Sequence, residues 1–547
     1  MANDHHPAHR VQAGLWKGAA VLGGAAVVSK LLGTLQKIPL QNLAGDAAFG
    51  IYNIVYPIYI LILTLATAGF PIVVSAFVAE RLKDGRPGDA RRVLAVAAGV
   101  LAVSSLLFFV LLYGGADLLA GWLDSPKTAP AIRSVAYALL LVPLLAVLRG
   151  YFQGRGDMVP TAVSQVAEQL VRVAVMLTLL LYYVRLGAGA DRIAAGAMTG
   201  SAAGAAAGFL VMAVYWRRRT RAAQGCPARP APTEPLGPLA WRFLKAAVPV
   251  ALGSLVLPLL TMADSLTLPG LLRAQGWDEA GRLYAIGLYN HGQPLVQLVA
   301  LVATSLSAAL VPAMAEAKML GAEEVRRRAY AILHFTWVVG GAAAVGLVSL
   351  AIPLNVMFYE SPEGSTAMAL IGSSALFSAV NLVTGSLLVG LGALRAPAVH
   401  LFAAVGLKLA LNAALVPLWG INGAALSTVA AYALAAGLNL WALQRRTSLV
   451  LPAGAFLGRP LAALAVMAAA LLLLQLIFGE FPASGIAEDA RLAQTALALG
   501  GVGGGAAVYA VCLFRFRVIT RSRLAELPKG GDKLVSLAER LRLLPKT

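Results

Sequence analysis

The side chains with the most chemical potential in this sequence are ionisable groups that interrupt long apolar stretches. Lys30, Glu168, Arg172, Asp264 and Lys408 each stand well inside such a stretch. A charge at the centre of a bilayer costs about 2.5 to 3.5 kcal/mol on insertion scales, so residues of this kind usually face a polar cavity or a partner. The sequence therefore predicts a buried polar chamber in which these groups contact a ligand or one another.

Two lysines near the amino terminus are spaced to act together. Lys30 and Lys37 are two helical turns apart, so a first helix is expected to project both from one face, together with Gly33 and Thr34. No acidic residue of the same stretch is placed to neutralise Lys30. The pattern predicts a cationic stripe along this helix.

Arg172 and Lys408 extend the cationic set. They are separated by the offset of an internal repeat, to within one residue, and are expected on facing sides of the chamber. With the two lysines of the first helix they outnumber Glu168 and Asp264. The chamber is therefore predicted to be net cationic and to favour an anionic head group such as phosphate.

Each buried charge also has a structural interpretation. Glu168 and Arg172 stand at i and i+4 and can neutralise one another within one helix. Lys408, with Asn412, can extend its side chain toward the inner surface of the membrane, or it can hydrogen-bond to a neighbouring helix and so hold two helices together. Asp264 can pair with a lysine, or it is an ion-coupling carboxylate, a role for which Glu168 is the other candidate.

Further polar residues are candidates for the entrance to the chamber. Asn53 and Asn290, with His291 beside the latter, could line a portal between the two halves. Alternatively, their side chains form hydrogen bonds only within their own helices.

No Walker-type nucleotide-binding sequence occurs, and the two cysteines suggest neither a disulfide nor a zinc site. We therefore expect no cofactor, and energy from the membrane potential or from an ion, H+ or Na+.

The composition defines the elements that must position these groups. The 547 residues are 59% hydrophobic and 13% charged, whereas soluble chains are about 45–50% apolar and about 25% charged. Apolar runs long enough to cross a bilayer recur about fourteen times. The sequence predicts an all-α polytopic membrane protein with about 14 transmembrane helices. The net charge of +19 is confined to short clusters between apolar runs, which argues against nucleic-acid binding.

The basic clusters also predict an orientation. When the amino terminus is placed inside, the inner segments carry the large majority of the 44 lysines and arginines. Both termini are therefore expected in the cytoplasm, and the first apolar stretch is expected to remain as a span because it is too long for a signal peptide.

An internal repeat with an offset of about 237 residues predicts two six-helix lobes of the same topology. The correspondences that carry it pair Gly50, Tyr52, Asn53 and Pro57 with Gly287, Tyr289, Asn290 and Pro294. The axis relating the lobes is expected along the membrane normal, so that rocking would expose a central site to each side in turn.

These patterns divide the chain into five predicted segments. They are an amino-terminal lobe at 1–216, a cytoplasmic linker at 217–242, a second lobe at 243–443, two further helices at 444–514 and a tail at 515–547. The last two helices could supply a groove for a lipid chain. The tail is expected to form a basic amphipathic helix on the inner leaflet or, alternatively, a solvated tail.

The sequence resembles a known family in three places. The stretch from Lys17 to Glu80, the stretch from Gly287 to Ala317 and the "GLGALRAP" run from Gly390 to Pro397 are similar to the stage V sporulation protein B and lipid II flippase-like branch of the multidrug/oligosaccharidyl-lipid/polysaccharide exporter superfamily. The resemblance implies two pseudo-symmetric six-helix lobes plus two carboxy-terminal helices, as in multidrug transporters and lipid II flippases.

The resemblance also implies a function. It implies a flippase that moves an undecaprenyl-diphosphate-linked saccharide, such as lipid II, across the bacterial cytoplasmic membrane by alternating access. A two-lobe body suffices for this as a monomer, which is the expected state. Lys30 occupies the place of a basic residue of the family's first span. The family's lipid II flippases usually carry a second arginine two turns further on, whereas the nearby residues of this chain are Gln36 and Lys37. Transport of another polysaccharide precursor therefore remains an alternative for this chain.

Three other functions are weighed against this one. A drug or cation antiporter of the same superfamily would need acidic residues in its chamber, and only Asp264 and Glu168 are available. A membrane enzyme acting on lipid-linked sugars would need a large outer loop with clustered polar residues, and the predicted outer loops are short. A purely structural scaffold gives no reason for lysines at membrane depth.

Overall fold

The computed structural model describes residues 7–67, 69–222, 235–452, 454–478 and 487–518. Over these residues the chain is almost entirely α-helical and has no strands. The predicted all-α class is therefore confirmed. Helices suit these apolar segments because a backbone in hydrocarbon must satisfy its hydrogen bonds internally.

The chain divides into two compact units, one of residues 1–287 and 408–421 and the other of residues 288–407 and 422–547. The helices that begin in the first unit are α1 (Pro7–Leu35), α2 (Lys37–Thr67), α3 (Phe70–Lys83), α4 (Pro87–Gly114), α5 (Ala116–Trp122), α6 (Ala129–Gly154), α7 (Val159–Arg185), α8 (Ala190–Ala222), α9 (Leu236–Ser254), α10 (Val256–Ala274) and α11 (Glu279–Tyr289). Those that begin in the second unit are α12 (Gly292–Leu320), α13 (Ala322–Ser349), α14 (Ala351–Tyr359), α15 (Ser365–Gly390), α16 (Ala396–Thr447), α17 (Arg459–Phe478) and α18 (Ala487–Arg515).

Ten helical segments of the described residues are long and apolar enough to cross a membrane. Two of them contain more than one helix: Val21–Lys83 runs from α1 through α3, and Ala396–Thr447 is broken at Gly420, where φ is 54° and ψ is −134°. The arrangement is that of a multi-pass membrane protein and is consistent with the predicted fourteen spans.

The predicted cationic stripe on one helix is wrong. Helix α1 ends at Leu35, Gln36 is a turn, and α2 begins at Lys37. Pro39 explains the break, because a proline has no backbone N–H to donate to the carbonyl four residues earlier and its ring clashes there. That carbonyl belongs to Leu35, the last residue of α1. Lys30 and Lys37 therefore lie on different helices.

Helix α6 lies at the centre of the first unit, where it packs against α2, α3, α4 and α8. The apolar cluster around it includes Val74, Leu101, Leu145, Phe152 and Phe243, all of which are buried. Helix α7 packs against α1 and α8, and α10 packs against α2. These contacts hold α1, α2, α6, α7 and α10 in fixed relation within this unit.

Two repeat-related glycines form a close helix crossing in the first unit. A Cβ added at Gly50 would lie 2.0 Å from the carbonyl oxygen of Leu283, and one added at Gly287 would lie 2.2 Å from that of Asp46. The contact is reciprocal under the repeat, because Asp46 corresponds to Leu283 as Gly50 corresponds to Gly287. This pseudo-twofold contact between α2 and α11 supports the predicted repeat.

The second unit is built around α15, which packs against α12, α13 and α14. Helices α17 and α18 pack together and contact α13 and α14. A buried polar network joins the start of α12 to α14. In it His291 Nδ1 lies 2.8 Å from Asn355 Oδ1, and the Tyr359 hydroxyl donates to the His291 carbonyl at 3.1 Å.

The second unit also contains an apolar cavity of about 330 Å³. It is lined by Leu333, Trp337, Val380, Leu440, Gln444, Leu451, Phe456 and Leu457. Phe456 and Leu457 belong to a π-helical turn, Gly454–Gly458, that precedes α17. The role of the last two helices as a lipid groove stays a prediction.

The predicted linker at 217–242 is only partly described by the structure. Helix α8 continues to Ala222, and α9 begins at Leu236. Residues 223–234, with Cys226, lie outside the described part of the chain, as does most of the predicted amphipathic tail at 519–547. The five-segment division of the chain stays a prediction.

Candidate functional site

A carboxylate shared by two arginines lies inside the first unit. Glu168 Oε1 accepts from Arg172 Nη2 at 2.8 Å, and Glu168 Oε2 accepts from Arg149 Nη2 at 2.9 Å. Arg149 also donates to Ser164 Oγ at 2.7 Å. All three charged side chains are about 85% buried, with exposures of 13–15%. The predicted i, i+4 pair exists, but it is part of a cluster with one positive charge in excess.

Helix α7 presents this cluster because Ser164, Glu168 and Arg172 recur every fourth residue and so share one face. A matching glycine series on α8 covers that face. A Cβ added at Gly204 would lie 2.6 Å from the Glu168 carbonyl oxygen, and one at Gly200 would lie 2.6 Å from that of Arg172. Small residues at this spacing let two membrane helices approach closely.

Lys37 brings a second uncompensated charge to the same unit. Only 5% of Lys37 is exposed, and its Nζ lies 5.7 Å from the ring centroid of Tyr56. Tyr56 also lies near Arg172, as do Tyr52 and Tyr59. Among the described residues Lys37 has no carboxylate within ion-pair distance. Lys37, the two arginines and Glu168 therefore carry two positive charges in excess.

Several hydrogen-bonding atoms near these charges have no protein partner. They include Arg172 Nε, Gln169 Nε2 and the hydroxyl of Tyr59, each of which is buried. A buried donor or acceptor without a partner costs about 1–3 kcal/mol. Gln169 lies against α1, since its Nε2 is 3.1 Å from the position of a Cβ at Gly33. This part of the unit therefore contains donors and acceptors that are available for hydrogen bonds to a bound ligand.

A second buried ion pair lies between α10 and α16. Lys408 Nζ donates to Asp264 Oδ2 at 2.6 Å, and Asn412 Nδ2 donates to Asp264 Oδ1 at 3.1 Å and to Thr267 Oγ1 at 2.9 Å. Lys408 is 1% exposed and Asp264 8% exposed. The pairing of Asp264 with a lysine, one of the two interpretations of that residue, is what the structure contains.

The remaining sequence-predicted residues occupy other positions. The side chain of Lys30 is exposed and has no hydrogen bond or ion pair among the described residues. Asn53 is buried and donates to the Phe49 carbonyl of its own helix at 2.8 Å. Asn290 lies in the second unit, at the turn between α11 and α12. The binding roles assigned to these residues stay predictions.

Sequence reasoning did not single out Arg149 as a site residue. The structure places Arg149 inside α6, with its side chain bonded to α7. The signal that could have found the site was the four-residue recurrence of glycine at Gly196, Gly200, Gly204 and Gly208. It predicts a helix packed closely against a neighbour.

The profile of one protein family matches more than half of the chain. The family is described as polysaccharide biosynthesis protein, and the match covers residues 15–318. The chain belongs to this family. The resemblance seen in the sequence is thus confirmed at the level of this family.

Two curated relatives of this polysaccharide biosynthesis protein come from Bacillus subtilis (strain 168). The "Uncharacterized membrane protein YabM" is 33% identical over 94% of this chain and 95% of its own length. The "Lipid II flippase MurJ" is 28% identical over 94% of this chain and 97% of its own length.

Solved structures agree on the fold. A lipid II flippase MurJ in an inward closed conformation matches with a TM-score of 0.66 at 13% identity, over 91% of this chain and all of that one. An inward-facing multidrug resistance MATE transporter of the MOP superfamily matches with a TM-score of 0.62 at 14% identity, over 77% of this chain and 94% of that one. The predicted MATE- and MurJ-like fold class is therefore confirmed.

Proposed function

We propose that this member of the polysaccharide biosynthesis protein family is a flippase for an undecaprenyl-diphosphate-linked saccharide, with lipid II as the first substrate to test. The observation that carries the proposal is the buried cationic set formed by Lys37, Arg149 and Arg172 against one carboxylate, Glu168. Relatives of full length that are named as a lipid II flippase and as stage V sporulation protein B support it.

The charge balance suits a diphosphate better than a neutral or cationic ligand. A buried cation without a counter-ion is costly, and an anionic ligand removes that cost when it binds. Arginine and lysine bind phosphate through charge-assisted hydrogen bonds, which are roughly twice as strong as neutral ones. The unsatisfied Arg172 Nε and Gln169 Nε2 add donors for the same oxygens.

Binding and release are proposed to alternate between the two sides of the cytoplasmic membrane, with both termini inside and one chain as the working unit. A charge that crosses the membrane potential gains about 2.3 kcal/mol per 100 mV, which is enough to bias a two-state carrier. Of the predicted cationic residues, the structure favours Lys37 and Arg172 as ligands of the head group. The contribution of Lys30 stays a proposal.

The test is translocation of fluorescent lipid II in vesicles that contain the purified protein. Charge-assisted hydrogen bonds contribute about 1.5–3 kcal/mol, so Lys37→Gln and Arg172→Gln should each slow translocation about 10- to 100-fold. Lys127→Gln is the control, because that lysine side chain is 47% exposed, in the short 3-10 helix Pro126–Thr128 between α5 and α6. Lys30→Ala in the same vesicles tests the contribution predicted from the sequence.

The outcomes separate the function from the site. If the parent protein leaves lipid II on one side of the membrane, the lipid II assignment is wrong, and other undecaprenyl-diphosphate saccharides are the next substrates. If the parent translocates lipid II and both glutamine variants keep its rate, the function stands and the cationic site is wrong.

An antiporter for organic cations is the second candidate, because the MATE transporter shares the fold. Organic cations are bound by available carboxylates. Both buried carboxylates considered for this role are engaged, Glu168 by two arginines and Asp264 by Lys408. Efflux of ethidium by cells that express the protein, abolished in Glu168→Gln or Asp264→Asn, would favour this alternative.

A further inference from the structure

Helices α1 and α7 of the first unit pack against each other, and polar side chains lie along their contact. Ser29 and Gly33 are four residues apart on α1. Gln36 is the turn after this helix, but its N–H still bonds to the Leu32 carbonyl at 3.1 Å, so it continues the helical path. Residues at i, i+4 and i+7 share a helix face. Two polar residues therefore flank a glycine on one face of α1.

Helix α7 repeats this spacing with Gln165, Gln169 and Arg172, which also share a face. The two faces meet at the middle position, because Gln169 Nε2 lies 3.1 Å from the position of a Cβ at Gly33. The glycine thus makes room for a glutamine side chain of the neighbouring helix.

Tyr52 shows in which direction the two helices run. Its side chain lies near both Gln36 and Arg172, which are each three residues beyond the glycine–glutamine contact. The two helices therefore run parallel here, with Gln36 and Arg172 at the same level. One turn before the contact, the same geometry places Ser29 beside Gln165.

Five side-chain atoms along this contact are buried and have no hydrogen-bond partner in the described part of the chain. Two are the donors already assigned to the diphosphate, Arg172 Nε and Gln169 Nε2. Two others, Gln36 Oε1 and Gln165 Oε1, can only accept, and the fifth, the Ser29 hydroxyl, can do either. An ionised diphosphate offers acceptor oxygens only. It therefore leaves the two amide oxygens without a partner.

We propose that Gln36 and Gln165 accept hydrogen bonds from the sugar next to the diphosphate, so that the protein prefers undecaprenyl diphosphate that carries a saccharide to the bare lipid diphosphate. Sugar hydroxyl groups and the N–H of an N-acetyl group are donors of the required kind. The inference rests on the proposed function, because it adds a second part to the same cationic site.

The preference has a simple physical origin. Both lipids carry the diphosphate, so the cationic groups alone do not distinguish them. The amide oxygens are already unpartnered in the free protein, so a sugar gains these bonds without breaking others, and sites built to bond a hydroxyl or N–H discriminate against analogues that lack it. Gln36 is only 4% exposed, so the sugar reaches it after the side-chain rearrangement that is common on binding.

The experiment measures the binding of three lipids to the purified protein by native mass spectrometry. They are lipid II, lipid II from which an amidase has removed the peptide, and undecaprenyl diphosphate. The parent should bind both saccharide lipids about 10-fold or more tightly than undecaprenyl diphosphate, because two hydrogen bonds are added.

Gln36→Met and Gln165→Met keep the length of the side chain but lose the acceptor. Each should reduce the preference by about 3- to 10-fold and leave the binding of undecaprenyl diphosphate unchanged. Gln494→Met is the matched control. The Oε1 atom of Gln494 is also buried and unpartnered among the described residues, but it lies on α18 in the second unit, so its loss should not change the preference.

Each outcome decides between the site and its specificity. If the parent binds none of the three lipids, the proposed function itself is wrong. If it binds all three equally, the cationic site stands and recognition of the sugar is overturned, whether or not either variant folds. If removal of the peptide abolishes the preference, the peptide supplies the donors and the assignment to the sugar is wrong. A preference that survives both methionine substitutions would also overturn the proposal.

Discussion

At the scale of single residues, the site depends on how one carboxylate is shared. Glu168 binds Arg149 and Arg172 through different oxygens, so both arginines are held in place although only one of their two positive charges is compensated. Lys37 has no such partner and rests against an aromatic ring. The two arginines therefore provide positive charges at fixed positions, whereas Lys37 provides a charge that a ligand can neutralise.

Glu168→Gln should lower the stability of the folded protein by about 3 kcal/mol or more, because it leaves two buried guanidinium groups without a countercharge. The measurement is thermal or denaturant unfolding in detergent. Glu80→Gln is the matched control: the Glu80 carboxylate is 59% exposed and pairs with Arg81, so its loss should cost less than about 1 kcal/mol. Equal effects of the two substitutions would show that the cluster is not stabilised by its charges.

At the scale of helices, close approach is achieved by glycine. On α8, glycines at four-residue intervals let the helix lie directly on the polar face of α7. Where α2 meets α11, Gly50 and Gly287 allow each helix to reach the backbone of the other. In hydrocarbon there is no hydrophobic force between helices, so such packing and internal hydrogen bonds hold them together.

Gly50→Ala and Gly287→Ala should each destabilise the protein by about 1–3 kcal/mol or more, since the new methyl group must displace a backbone carbonyl. Gly99→Ala on α4 is the control, because apart from the local backbone of its own helix no atom lies within 4 Å of its Cβ position. In that helix interior alanine should be neutral or favourable by up to about 1 kcal/mol. Unfolding temperatures of the three variants provide the measurement. Unchanged values for both crossing glycines would mean that α2 and α11 do not approach so closely.

At the scale of the whole molecule, the chain is a multi-pass membrane protein whose two units each contain several apolar helices. Many large apolar side chains are exposed on these helices, such as Val103, Leu106 and Leu107 on α4, with exposures of 54–71%. In water such surfaces would associate. In a bilayer they face acyl chains, which explains why a chain with so few charged residues can fold.

The orientation predicted from the basic loops can be measured with single cysteines in a protein from which Cys226 and Cys512 have been removed. Asp84→Cys, in an exposed turn after α3, should react with a membrane-impermeant maleimide only after the cells are permeabilised. Arg185→Cys, exposed at the end of α7, should react in intact cells. Labelling with the opposite sidedness would invert the topology and place both termini outside.

The sequence by itself determined the class of protein, the repeat and most of the helices. Apolar length and the scarcity of charge leave only helices, because nothing else satisfies a backbone in hydrocarbon. The spacing of Glu168 and Arg172 also predicted their pairing, since i and i+4 share a helix face whatever the tertiary structure.

Only the tertiary structure decided which charges meet. Arg149 and Glu168 are on different helices, as are Asp264 and Lys408, and no local pattern specifies a contact across such a separation. The break before Lys37 is different, because it follows from a proline two residues later that is visible in the sequence and whose effect on the helix outweighed the regular seven-residue spacing. Partners of buried charges are set by how helices pack, and packing is a property of the folded chain.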